Sequence, residues 1–282
     1  MLYFGYGSNL CAVDFARWCE ARGHARVGVR PVGVGWLPDH EVVFHYHSRA
    51  RRGGALSVRP RRGSSVPGVL YEVDAAGWVA LDDKEGAPDF YARVAKDAIT
   101  EAGDEVRVTT YEVVEARRQA SHVPPTEEYV ETVRRGLAAH ALPDDQVVAA
   151  ARSLRTPPLP RAIFVYGTLM RGQLREPCLG RYAPERWEPA RARGRLVHLG
   201  AYPGLLPDER AEVRGELVTL GDPGDALREL DEIEDFLGYG REGSLYRRVV
   251  TRAHTARGAE LAWTYRYLGD GTVIPSGDWR SV

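Results

Sequence analysis

The chain has 282 residues, 44% of them hydrophobic and 27% charged, with a formal net charge of −1. That balance is ordinary for a globular protein, and so small a net charge excludes a global field that would recruit nucleic acid or a membrane. The length suits one large or two medium domains. No stretch approaches the ~20 apolar residues of a membrane span. The three cysteines, Cys11, Cys19 and Cys178, lack metal-ligand spacing, and their odd count fits a reducing cytoplasm.

Met1-Leu2-Tyr3-Phe4 enters a strand directly, without the basic-then-apolar pattern of a signal peptide, so a cytoplasmic location is expected. The strand ends in Tyr6-Gly7-Ser8-Asn9-Leu10, and Leu10 to Glu20 reads as a helix. His45 and His47 alternate on one face of a strand with His40 nearby, but no further ligand completes a tetrahedral set, so no metal is expected. Arg49, Arg51, Arg52, Arg59, Arg61 and Arg62 surround Gly53-Gly54. Without interleaved aromatics they read as a solvated loop rather than a nucleic-acid platform. Pro67 to Val73 alternates like a strand entered through Gly68, and Ala80 to Gly86 ends a probable helix at Glu85. Thr126 to His140 reads as an amphipathic helix with Tyr129, Val133 and Leu137 four apart, and Asp144 to Leu154 as a shorter one. Arg155 to Arg161 is proline-rich and semi-rigid.

Beyond that linker the same landmarks return in the same order. Tyr166-Gly167-Thr168-Leu169 answers the first loop, Arg214 to Leu220 the glycine-entered strand, and Leu230-Asp231-Glu232-Ile233-Glu234 the helix end. Tyr246 answers Tyr91, and Thr264-Tyr265 answers Thr110-Tyr111. A repeat this ordered predicts tandem related domains, 1–154 and 162–282, joined by residues 155–161.

The repeated loop and the repeated acid carry the chemistry. Gly7 and Gly167 can adopt backbone angles closed to other residues, which lets consecutive N–H groups form an anion-binding nest. A helix start behind the loop adds its positive end. The alternative is a tight strand-to-helix turn with no ligand. Glu85 and Glu234 are singled out from their acidic neighbours by register; partial desolvation would raise a proton-transferring carboxyl toward neutrality. Cys11 has no identifiable base and Arg171 stands at the matching offset, which argues against a thiol nucleophile.

These motifs resemble the gamma-glutamylcyclotransferase family. In the first half the resemblance rests on Tyr6-Gly7-Ser8-Asn9-Leu10, Gly68-Val69-Leu70-Tyr71, Leu81-Asp82-x-x-Glu85-Gly86, Tyr91, Pro124-Pro125 and Tyr129. The second half resembles the smaller branch that includes gamma-glutamylamine cyclotransferases, through Val165 to Leu169, Leu230-Asp231-x-x-Glu234, Tyr246-x-Arg248 and Ile274 to Trp279. The resemblance implies an α/β (mixed α+β) fold, each domain a small barrel-like sheet with flanking helices and a cavity at one end. It implies cleavage of a γ-glutamyl amide to 5-oxoproline and a free amine or amino acid. It also implies a glycine loop that binds the glutamyl group through backbone N–H groups, with the glutamate as acid–base residue. Some family members remove γ-glutamyl caps in aminoglycoside biosynthesis.

The implied substrate-binding residues are Tyr6, Gly7, Ser8, Asn9, Leu10 and Tyr91 in the first half and Tyr166, Gly167, Thr168, Leu169 and Tyr246 in the second. The Tyr6 and Tyr166 hydroxyls either orient the acid or substrate or belong to the core. Ser8 and Thr168 either bond the α-carboxylate or close the turn. Leu169 in place of Asn9 sets the second site apart. The reaction needs no cofactor, because the substrate's own α-amine reaches its γ-carbonyl. The expected partner is a small γ-glutamyl molecule, with no nucleic acid and no membrane; the oligomeric state is left open. A non-catalytic metabolite-binding module and a γ-glutamyl acyltransferase are the alternative readings.

Overall fold

The computed structural model describes residues 2–282, in two compact units that meet along the chain at Pro157 and Pro158. Among the described residues no helix is long and apolar enough to cross a membrane.

The first unit runs β1 (Leu2–Gly5), a 3-10 turn (Ser8–Leu10), α1 (Ala12–Ala21), β2 (Val29–Ser48), β3 (Gly53–Val73), α2 (Ala75–Glu85), β4 (Tyr91–Thr100) and β5 (Glu105–Val113), then α3 (Glu127–Ala139) and α4 (Asp145–Ala151). Its strands close a barrel in the order β1-β3-β2-β4-β5, shut by parallel pairing of β1 with β5. Phe4, Leu37, Val69, Leu81, Val108 and Val113 pack in its core, each at most 1% exposed.

The second unit runs β6 (Ala162–Val165), α5 (Glu176–Gly180), β7 (Arg186–Arg193), β8 (Arg195–His198), β9 (Pro203–Leu206), β10 (Glu212–Thr219), α6 (Gly224–Ile233), β11 (Tyr246–Thr255), β12 (Gly258–Tyr267) and β13 (Thr272–Val273). Its barrel, β10-β6-β12-β11-β7, has the cyclic order of the first, with β6 for β1, β7 for β2, β10 for β3, β11 for β4 and β12 for β5. The one topological difference is the long hairpin. In the first unit β2 and β3 are unbroken; in the second the corresponding hairpin breaks, and β8 and β9 leave the barrel to form a small sheet with β13.

Three local expectations are corrected. The helix after the first loop starts at Ala12, because a 3-10 turn occupies Ser8–Leu10. Gly68 and Gly215 are strand interiors rather than entries. Each lies where its strand crosses the first strand of its barrel: a methyl on Gly68 would strike the Gly5 carbonyl and the Phe4 ring, and one on Gly215 the Val165 carbonyl and the Phe164 ring. The basic cluster is not a free loop. Arg59 and Arg61 lie on β3 and pair with the buried Glu41 at 2.7 and 2.8 Å, and Arg51 sits at the hairpin tip, where it turns toward the first loop.

Candidate active sites

Each barrel presents its glycine loop and its helix-end glutamate together. In the first unit Asp74 caps α2 by accepting from the Gly77 N–H at 2.6 Å, and Gly86, at φ 61°, ends the helix immediately after Glu85. Leu81 is fully buried one turn earlier, so the helix is anchored and the Glu85 carboxylate is held rather than free. Asn9 Nδ2 donates to Glu85 Oε1 at 2.7 Å and lies 3.0 Å from Tyr3 Oη, while Asn9 Oδ1 is buried without a partner. Burial raises the Glu85 pKa above the ordinary carboxyl value; the Asn9 hydrogen bond and the nearby Lys84 and Arg51 charges oppose that rise.

The cations around Glu85 are themselves engaged. Lys84 Nζ lies 3.0 Å from Asp14 Oδ2. Arg51 donates to Ser8 Oγ and to Asp14 Oδ2, both at 3.2 Å, and lies over the Tyr129 ring. The peptide of Leu56 is clamped by two tyrosines: its N–H donates to Tyr129 Oη at 3.2 Å and its carbonyl accepts from Tyr91 Oη at 2.8 Å.

Four bonds of the first barrel recur in the second. Tyr6 donates to the Tyr111 carbonyl at 2.6 Å, and Tyr166 to the Tyr265 carbonyl at 2.7 Å. Thr110 donates to the Phe4 carbonyl, and Thr264 to the Phe164 carbonyl. Tyr111 donates to Asp82 and Tyr265 to Asp231, each at 2.7 Å. Tyr91 donates to Leu56 and Tyr246 to Pro203, each at 2.8 Å. These equivalences pair Asp82 with Asp231 and, three residues on, Glu85 with Glu234.

The surroundings of the second acid differ. Leu169 stands for Asn9 and Ile233 for Lys84. Glu234 accepts no side-chain hydrogen bond among the described residues. Burial, opposed only by the Arg175 charge, lifts its pKa to about 7. It lines a cavity of about 170 Å³ together with Tyr166, Gly167, Thr168, Leu169, Arg175, Tyr202, Pro203 and Tyr246.

The loop glycines do not use left-handed angles. Gly7 has φ −114°, and Gly167 is not among the positive-φ residues. At Gly167 the reason is space, because a methyl there would strike Pro203. The leading N–H groups of each tight turn have no preceding turn of carbonyls to bond; Leu10 N–H bonds the Gly7 carbonyl at 3.0 Å, and Met170 N–H bonds the Gly167 carbonyl at 3.0 Å.

The structure sorts the site residues named from sequence. Asn9 touches Glu85 directly, Ser8 receives Arg51, and Thr168 and Leu169 line the second cavity. The Tyr6, Tyr91, Tyr166 and Tyr246 hydroxyls are committed to backbone carbonyls; burial, helped by the neighbouring glutamates, raises their pKa values, so they remain protonated donors. The Leu10 side chain is in the core, 1% exposed. Sequence reading placed Arg51 in a solvated loop and passed over Lys84, Arg175 and Tyr202. Lys84 had a usable signal in its place beside Glu85. Arg175 and Tyr202 lie outside the repeated motifs, so the repeat did not point to them.

Comparison with known proteins agrees with this duplicated frame. The family described as "Gamma-glutamyl cyclotransferase, AIG2-like" matches residues 3–131 and again residues 163–281. The chain belongs to that family, with two copies in tandem, and so falls among γ-glutamylcyclotransferase-like enzymes. It is 33% identical over 120 residues, 42% of this chain and 74% of the relative, to the gamma-L-glutamyl-butirosin B gamma-glutamyl cyclotransferase of Niallia circulans. Among solved structures, one described as a gamma-glutamyl cyclotransferase aligns at 20% identity over 55% of this chain and 88% of its own, with a TM-score of 0.45. YkqA from Bacillus subtilis aligns at 15% identity over 97% of this chain and 86% of its own, with a TM-score of 0.36.

Proposed function

We propose that the protein cleaves a γ-glutamyl amide by attack of the substrate's α-amine on its own γ-carbonyl, releasing 5-oxoproline and a free amine or amino acid. The observation that carries this reading is the pair of half-buried carboxyls, Glu85 and Glu234, each raised in pKa by desolvation and set at the same register beside its glycine loop. The domains are residues 1–154 and 162–282, joined by the linker 155–161, and each carries one site. The substrate is a small molecule handled in the cytoplasm.

The chemistry is economical. Curling the glutamyl chain in a confined site gives the amine a large effective molarity toward the carbonyl, so no protein nucleophile is required. A bond forms from the α-nitrogen to the γ-carbonyl carbon, closing the five-membered ring, and the amide C–N bond to the leaving amine breaks. The ionised glutamate takes the proton lost by the amine, and the resulting acid returns it to the leaving nitrogen. A carboxyl near neutrality serves both steps at physiological pH; for Glu234 the value of about 7 meets that need. The leading N–H groups of the Ser8–Leu10 turn and its counterpart at Thr168 and Leu169 stabilise the oxyanion. Tyr6 and Tyr166 hold the loop against the barrel rather than transferring protons.

The test is 5-oxoproline release from a panel of γ-glutamyl amino acids and γ-glutamylated amines, the latter including capped aminoglycosides of the kind named for the Niallia relative. Turnover of at least one member, lost when both glutamates become glutamine, supports the reading. Tight binding with no product marks a metabolite-binding module. A new γ-glutamyl conjugate formed with an added amine, in place of 5-oxoproline, marks an acyltransferase.

A further inference from the structure

We propose that Arg175 is the specificity residue of the second site and that it receives the α-carboxylate of the glutamyl group. The inference rests on the γ-glutamyl reading above and goes beyond it by assigning a cation to one substrate atom group.

Arg175 is half-buried and lines the second cavity beside Thr168 and Glu234. Its backbone N–H is fixed to the Thr168 carbonyl at 2.8 Å, so the residue is tied to the loop itself. Its side chain has no hydrogen-bond or ion-pair partner among the described residues. The first site contrasts with this: Lys84 and Arg51 stand near Glu85, and both are held by Asp14. A guanidinium on a half-buried residue, with five donors and no acceptor among the described residues, is an unmet demand, and a carboxylate meets it in bidentate geometry.

Glu234 does not meet that demand. Its pKa of about 7 leaves it substantially protonated at neutral pH, and the Arg175 charge only partly offsets its desolvation. A γ-glutamyl substrate brings two candidate carboxylates, that of the glutamyl α-carbon and, when the leaving group is an amino acid, that of the leaving group. At about 170 Å³ the cavity is smaller than the ~300–1,000 Å³ of ordinary small-molecule pockets. That space suits the glutamyl end with the leaving group directed outward, so the α-carboxylate is the one placed against the loop and Arg175.

The test uses the full chain in a Glu85→Gln background, which leaves the second site as the source of product. Arg175→Gln and Arg175→Lys are compared on a γ-glutamyl amine, on its α-carboxamide, and on a γ-glutamyl amino acid with and without its C-terminal carboxylate. The expected result is a rise in KM of about tenfold or more for every substrate with a free α-carboxylate, partial recovery with Arg175→Lys, and little change for the α-carboxamide. The pH midpoint of kcat/KM also moves upward in Arg175→Gln, because the cation that lowers the Glu234 pKa is gone. Unchanged KM overturns the proposal. Equal losses on the carboxylate and the α-carboxamide reduce Arg175 to a structural role, and a loss confined to substrates with a leaving-group carboxylate assigns it to the other end.

If no substrate turns over, calorimetric titration of 5-oxoproline itself separates the two claims. A class of sites weakened about tenfold or more by Arg175→Gln keeps the carboxylate assignment while the catalytic reading fails. Titrations that coincide for wild type and variant overturn the assignment.

Discussion

The two units share a hydrogen-bond frame and differ in what surrounds the acid inside it. In the first, Glu85 accepts from Asn9 and lies near Lys84 and Arg51. In the second, leucine and isoleucine replace Asn9 and Lys84, and only Arg175 moderates the desolvation of Glu234. Duplication preserved the bonds that hold the loop and the helix in place, while the residues that set proton affinity and ligand charge diverged. The frame is therefore the structural part of the site, and the tuning belongs to a handful of neighbours.

The frame itself carries an asymmetry, and stability measurements sharpen it most. Arg248, fully buried, pairs with Asp231 at 3.2 Å, whereas the corresponding Arg93 and Asp82 are each more than a third exposed. Arg248→Met removes a buried cation and is expected to cost about 3–5 kcal/mol; Arg93→Met should cost about 1 kcal/mol or less. Chemical denaturation of both variants checks the difference, and equal costs would break the comparison.

The next effect is the pH dependence of stability. Glu234 has a folded-state pKa of about 7, raised from the 4.5 of an ordinary glutamate. Between those values the folded state holds a proton that the unfolded state has released, so this residue costs stability as pH rises through that window. Above it the full penalty is present. Glu234→Gln removes the penalty and is expected to stabilise the protein by about 1–2 kcal/mol at pH 8, after allowance for partial exposure, and by nothing at pH 4. Melting curves at both pH values check the sign.

Exchanging the tuning residues tests the same idea inside the site. Asn9→Leu removes the hydrogen bond that lowers the Glu85 pKa, and Leu169→Asn offers one to Glu234. The pH midpoint for the first site should rise and that for the second should fall, each by about one unit. Midpoints that do not move separate the two acids from these neighbours. The smallest expected effect concerns α3, a helix with no counterpart in the second unit. Thr126 caps it by accepting from the Tyr129 N–H at 3.3 Å, so Thr126→Ala should cost the first unit about 1 kcal/mol.

Much of this was legible in the sequence because the repeat supplied its own alignment. Strand periodicity gave parts of the barrels, among them the end of β3 and most of β10, and matched spacing after Leu81 and Leu230 picked Glu85 and Glu234 out of acidic runs; β7 was not read from the sequence. The helix capped by Thr126 was readable from its start signal and apolar spacing. What escaped was everything set by three-dimensional return of the chain. Arg51 lay in a basic stretch that looks solvated until a long hairpin carries its tip to Ser8. Gly68 and Gly215 read as strand entries because close approach to another strand leaves no local trace. Gly7 suggested unusual backbone angles, but its loop is built from an ordinary φ of −114° followed by a 3-10 turn. Tyr6 and Tyr166 left two readings open, and only the distances to Tyr111 and Tyr265 showed their hydroxyls committed to the frame.

The central claim is that one desolvated glutamate in each unit moves the proton for amide cleavage. Its most direct test is the rate of 5-oxoproline release by wild type, Glu85→Gln, Glu234→Gln and the double variant on the best substrate of the panel. The account predicts that each single substitution removes one site's share of the rate and that the double variant falls by about 10²–10⁴-fold while remaining folded. A folded double variant with wild-type turnover contradicts it.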